Sequence, residues 1–196
     1  MMATTHAFVG LVFAAAVAVV APVDAGTVAI AAILGGLFPD FDVCATHRKT
    51  LHFPVYYWVF AVPVAVLAVL VPTTATVAAA VFLLGAGAHA LSDHLGGGLS
   101  ARPWERRARR AVYSHYHGRW LEPRRWVAYD GSPGDLALSA VLAIPALFVF
   151  EGAVRTIVVV MLLVSIGYAV FRRYFASVGE RVLEGPGSGR SDGSNE

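Results

Sequence analysis

Six stretches of this chain have uncharged, almost wholly apolar interiors: Ala7–Val23, Ala25–Pro39, Phe53–Val71, Thr73–Ala88, Leu136–Phe150 and Thr156–Phe171. Backbone N–H and C=O groups cannot stay unpaired in hydrocarbon, so long apolar runs of this kind cross a bilayer as helices. A crossing needs about 20 mostly apolar residues, with a range of about 17–25. Several of the six are shorter, so their polar ends must reach into the interface. The rest of the chain agrees, with 57% apolar and only 14% charged residues, where soluble domains run at about 45–50% and about 25%. That balance excludes a water-soluble globule, a disordered chain and a nucleic-acid-binding arm. The expected fold class is all-α: an integral membrane bundle of about six helices within residues 1–177, as one domain.

Local signals place the breaks. Pro72 with Thr73 and Thr74 splits one uncharged run from Phe53 to Ala88 into a hairpin. Ser132-Pro133, with Asp135 in the first turn, opens the fifth helix. No Lys or Arg precedes the first apolar run, so it is read as a retained helix and not as a signal peptide. The second stretch is the weak link. Its 15 residues reach about 22 Å at 1.5 Å per residue, against a hydrocarbon core of about 30 Å. A re-entrant segment is the alternative there, and it would put His6 on the opposite face from Asp40.

If all six cross, fourteen of the fifteen basic residues fall on one side and Arg155 alone on the other. The positive-inside rule then places the chain in the cell membrane as a multi-pass protein with both termini and the large loop in the cytoplasm. That loop, residues 97–134, carries eight Arg between Arg102 and Arg125. Within it Trp104, Ala108, Ala111, Val112 and Tyr116 recur at helical spacing, which fits an interfacial helix with Arg near anionic lipid head groups; an ordinary basic cytoplasmic loop is the equal alternative. From Val178 to Glu196 the chain turns polar and rich in Gly and Ser, and a disordered tail is expected over 178–196. The lone Cys44 cannot form an internal disulfide, and nothing identifies a protein partner.

In this topology His6, Asp40, Asp42, His47, His52, His89 and Asp93 all fall at one leaflet. His89 and Asp93 are four apart and share a helix face, one turn apart. Pro39 ends the second helix and turns Asp40 and Asp42 into the loop that carries His47 and His52. Ionisable groups at membrane depth are costly and are kept for function or paired. Mixed imidazole and carboxylate donors suit a divalent metal, zinc first, with manganese or iron also compatible. The expected ligands are His6, Asp42, His52, His89 and Asp93, with Asp40 and His47 as ligands or as groups that hold them. Asp40 is the candidate general base, Asp93 a catalytic carboxylate, and Arg48 a holder of a substrate phosphate. No Gly-x-Ser-x-Gly elbow, P-loop or dinucleotide fingerprint is present.

Taken in order, Thr5-His6, Leu37-Phe-Pro-Asp-Phe-Asp42, His47-Arg-x-x-x-His52 and Gly85-x-x-x-His89-x-x-x-Asp93 resemble the YdjM-like membrane-bound predicted metal-dependent hydrolases. The resemblance covers roughly the first 105 residues. Two departures are Phe53-Pro54 after His52, where a Ser is more usual, and Ala86-Gly87-Ala88 before His89. The resemblance implies a metal-dependent hydrolase with those His and Asp residues as its polar set. An interfacial site implies a phosphoester or lipid-linked substrate. The rival expectation is a non-catalytic metal-binding membrane protein, either a regulator or an ion carrier. Carriers place such residues near the bilayer midplane, whereas these cluster at one end.

Overall fold

The computed structural model describes residues 1–184 of the chain. Six helices alternate in direction: α1 (Ala3–Val20), α2 (Ala25–Leu37), α3 (Tyr56–Leu70), α4 (Thr74–Ser92), α5 (Pro133–Val149) and α6 (Gly152–Glu184). Four segments are long and apolar enough to cross a membrane: Ala3–Val20, Ala25–Cys44, Thr74–Leu95 and Gly152–Val178. α3 and α5 are apolar but shorter, at 15 and 17 residues. The second of the four reaches its length because a 3-10 segment, Phe38–Cys44, continues α2. Pro39 has no N–H to close an α-helical bond, and the tighter winding begins there.

The helix starts follow ordinary capping chemistry. Asp24 accepts from Thr27 N at 2.7 Å at the head of α2, Thr73 and Thr76 form a capping box on α4, and Ser132 caps α5 with Pro133 in its first turn. α1, α2 and α4 pack around Phe8, Leu11, Val28 and Val81, each at most 1% exposed. The outer faces are apolar as well: Leu70 is 74% and Phe148 82% exposed. Helices that are apolar on both faces are made for a lipid surround, not for water.

Two glycines set how closely the helices meet. A Cβ on Gly36 would lie 2.5 Å from the His6 carbonyl oxygen, and one on Gly35 would run into the Phe82 backbone. α2 therefore touches α1 and α4 backbone to backbone where the polar residues gather.

The basic loop corrects an expectation. In place of an interfacial helix, it holds a short 3-10 turn at Pro103–Glu105 and an antiparallel hairpin, β1 (Val112–Ser114) with β2 (Arg119–Leu121). Arg106 sits in the left-handed region at φ 58°, which stops any helix there, and Gly118 at φ 63° turns the hairpin. The operative period is two: Val112 and Ser114 are buried, and Tyr113 pairs across to Trp120 with ring centroids 5.6 Å apart. The hairpin is tied to the bundle by Tyr113 N donating to Arg48 O at 2.9 Å. The expected boundary at Val178 also moves, because α6 continues to Glu184. Residues 185–196 of the expected disordered tail lie outside the described residues.

Candidate metal centre

The ends of α1, α2 and α4 bring four segments together. His6 comes from the first turns of α1, Asp40 and Asp42 from the 3-10 segment, His47 and His52 from the loop that follows, and His89 and Asp93 from the end of α4. Asp42, His52, His89, Asp93 and His6 are each at most 2% exposed.

One donor atom from each of Asp40, His52, His89 and Asp93 lies within 4.8 Å of the other three. The measured separations are 3.1 Å for His52 Nε2 to Asp93 Oδ2, 3.4 Å for His89 Nε2 to Asp40 Oδ1, 3.6 Å for His89 Nε2 to Asp93 Oδ2, and 3.8 Å for His52 Nε2 to Asp40 Oδ1. Four donors held about 2.0–2.1 Å from one tetrahedral centre would stand about 3.3 Å apart. This group could hold a metal ion.

The far sides of both rings are fixed. His89 Nδ1 lies 2.6 Å from the Gly36 carbonyl oxygen, which can only accept, so Nδ1 carries the proton. Nε2 of the same ring is buried and has no hydrogen-bond partner. His52 Nδ1 lies 2.9 Å from Asp42 Oδ2. When that nitrogen donates to the carboxylate, Nε2 turns a lone pair toward Asp93 Oδ2, itself an acceptor. Two acceptors 3.1 Å apart repel unless a proton or a metal ion lies between them. An imidazole nitrogen with no hydrogen-bond partner and one Asp93 oxygen facing the Nε2 atoms of both rings are what a metal would satisfy, so these residues fit one.

The remaining expected site residues surround the four. Asp42 does not offer a free oxygen: Oδ1 meets His47 Nδ1 at 2.8 Å and Arg48 N at 3.3 Å, while Oδ2 meets His52 and also the N–H groups of Lys49 and Leu51, both at 3.2 Å. It orients imidazoles, as carboxylates behind metal-binding histidines do. His47 is bound to Asp42 and sits outside the four. His6 stacks on His89 with centroids 3.8 Å apart, and its Nε2 reaches the other oxygen of Asp93 at 3.2 Å. Arg48, held at φ 61°, brings Nε to 3.5 Å from Asp93 Oδ2. The N-terminal ammonium of Met1 adds a second positive charge, 3.7 Å from Asp93 Oδ1.

A cavity of about 590 Å³ opens beside the group. Asp40, His47 and Arg48 line it, as do Tyr168 and Arg172 of α6. Sequence reasoning missed the Asp130–Tyr168–Arg172 cluster there. Arg172 grips Asp130 through Nε at 2.8 Å and Nη2 at 3.3 Å, and the Tyr168 hydroxyl donates to the same carboxylate. The available signal was Tyr168 and Arg172 four apart at the end of an apolar helix. Comparison with protein-family models, curated proteins and solved structures gives no match to this chain.

Proposed function

We propose that this protein is a multi-pass membrane protein of six crossings, with both termini cytoplasmic, and a metal-dependent hydrolase of a phosphoester or lipid-linked substrate at the cytoplasmic interface. The observation that carries the reading is the convergence of Asp40, His52, His89 and Asp93 on one point, with His89 Nε2 buried and unpartnered. The near-total burial of His52, His89 and Asp93 supports a two-imidazole, one-carboxylate set of the kind catalytic zinc uses. Asp40, 29% exposed and lining the cavity, is placed to accept a proton as general base. A divalent cation, zinc on this donor set, supplies polarisation of a phosphoryl or carbonyl oxygen and a lowered pKa for the attacking water.

The chain's own residues do the rest. Asp42 and the Gly36 carbonyl hold the two rings. Arg48, which lines the cavity, carries the positive charge that meets a phosphate there. The Arg side of the loop, with Arg106, Arg107, Arg109 and Arg125 around one hollow, suits anionic head groups. The convergence of the motif residues supports the resemblance to the YdjM-like hydrolases.

A second reading has its own support. Four protein donors around one point also describe a closed structural site, which would make the protein a non-catalytic metal binder. The test is metal content of the purified full chain, wild type against a His89→Ala/Asp93→Ala double variant, followed by turnover of phospholipid and lipid-phosphate substrates. Metal bound by the wild type and lost in the variant, with turnover, supports the hydrolase. Metal without turnover supports the binder. Equal metal content in both proteins overturns both readings.

A further inference from the structure

From the cavity beside the metal group we infer that its α6 wall is a seat for the hydrocarbon chain of a membrane amphiphile, entered sideways from the bilayer, with the anionic head at Arg48. The inference rests on the proposed lipid-phosphoester reading and adds the chain-binding site to it.

Val164, Tyr168 and Arg172 all line the cavity. They are spaced by four on α6, so they form one stripe along its axis. Val164 and Arg172 are eight residues apart, about 12 Å at 1.5 Å per residue. Arg172 directly follows the apolar run of the helix, Thr156–Phe171, and Val164 lies inside that run. The cavity therefore runs from the level of charged side chains down to hydrocarbon depth. Three large apolar residues of its lining are open to the surroundings beside the exposed Ser100: Val43 is 68%, Val164 55% and Leu99 41% exposed. A site built for a water-soluble phosphoester has no use for such residues, which would face acyl chains.

Charge decides which arginine takes the head. Arg172 already meets both oxygens of Asp130, so its charge is spent. Arg48 makes the looser pair, a single contact from Nε to Asp93 at 3.5 Å, and it lines the cavity together with Asp40. An anionic head there brings its ester to the metal group, and the chain follows the α6 stripe. The volume of about 590 Å³ falls within the range of about 300–1,000 Å³ for sites that enclose a small ligand. It suits a head and the first part of one chain.

The test uses the full chain in phosphatidylcholine vesicles and dodecyl phosphate carrying a diazirine near its chain end. Photolysis is expected to label α6 around Val164. Val164→Trp, which fills the seat from an exposed position, is expected to lower the yield about tenfold, the loss of roughly two buried CH₂ groups. Leu163→Trp, at a position 62% exposed on the neighbouring face, controls for folding and should label as the wild type does. Arg48→Gln should also lower the yield. Unlabelled dodecyl phosphate should compete, whereas dodecanol and inorganic phosphate should not. Labelling spread over the outer faces of α3 and α4, a yield unchanged by Val164→Trp, or equal competition by dodecanol would overturn the inference. The readout needs neither metal nor turnover. Labelling of α6 in a chain that holds no metal therefore counts against the hydrolase alone, and turnover with labelling elsewhere counts against the chain seat alone.

Discussion

Asp42 holds the Nδ1 of His52 at 2.9 Å, and the opposite nitrogen of that ring lies 3.1 Å from Asp93. A carboxylate behind an imidazole fixes its tautomer and its aim, and loss of such a partner costs about 10–100-fold in metal affinity. Asp42→Asn puts an amide NH₂ among groups that all donate to Asp42. The expected result is metal affinity weaker by about 10–100-fold in chelator competition, with the four donor residues intact. Unchanged affinity would mean that Asp42 does no more than fold its loop.

Gly36→Ala tests the backbone contact that aims the other ring. The added Cβ would lie 2.5 Å from His6 O and 2.7 Å from Ala7 Cα, so α1 and α2 must part. Overpacking of this kind costs about 1–3 kcal/mol, read as a lower midpoint in thermal or denaturant unfolding. Because Gly36 O holds His89 Nδ1, metal affinity should fall together with stability.

Asp40→Asn separates base from ligand. If Asp40 takes the proton, phosphoester turnover should drop by about 10²–10⁴-fold while His52, His89 and Asp93 keep the metal at wild-type stoichiometry. Loss of the metal in this variant would instead favour the closed, structural site.

Much of this was legible in the sequence, and the limits have physical causes. The apolar runs and the Ser132, Thr73 and Pro39 signals mark the helices, because each acts through local backbone chemistry. The gathering of His6, Asp40, Asp42, His47, His52, His89 and Asp93 follows from alternating helix direction. The division of labour within that set does not follow. Whether Asp42 binds a metal or orients His52 depends on which ring nitrogen it meets, and spacing carries no information on that. The hairpin at Val112–Leu121 was obscured because its short strands also fit a helical period over a few residues. Asp130 and Arg172 are 42 residues apart, so the chain alone gave no reason to pair them.

The proposed orientation predicts opposite labelling of two single cysteines in a Cys44→Ala background. Ser100→Cys, in the basic loop, should react with a membrane-impermeant maleimide added at the cytoplasmic face. Glu151→Cys, in the α5–α6 turn and 87% exposed, should react from the other face. Reaction of both from one side would show that the two segments share a face and would remove the six-crossing topology.

The most direct measurement of the central claim is X-ray absorption at the zinc edge of the full chain, purified and loaded with zinc. The donor set His52, His89 and Asp93, with Asp40 beside it, predicts a shell of N and O atoms alone at about 2.0–2.2 Å, with the outer scattering of two imidazoles. That imidazole scattering should be lost in His89→Ala/His52→Ala. A sulfur neighbour at about 2.3 Å, a shell without imidazole, or a wild-type chain that retains no zinc would contradict it.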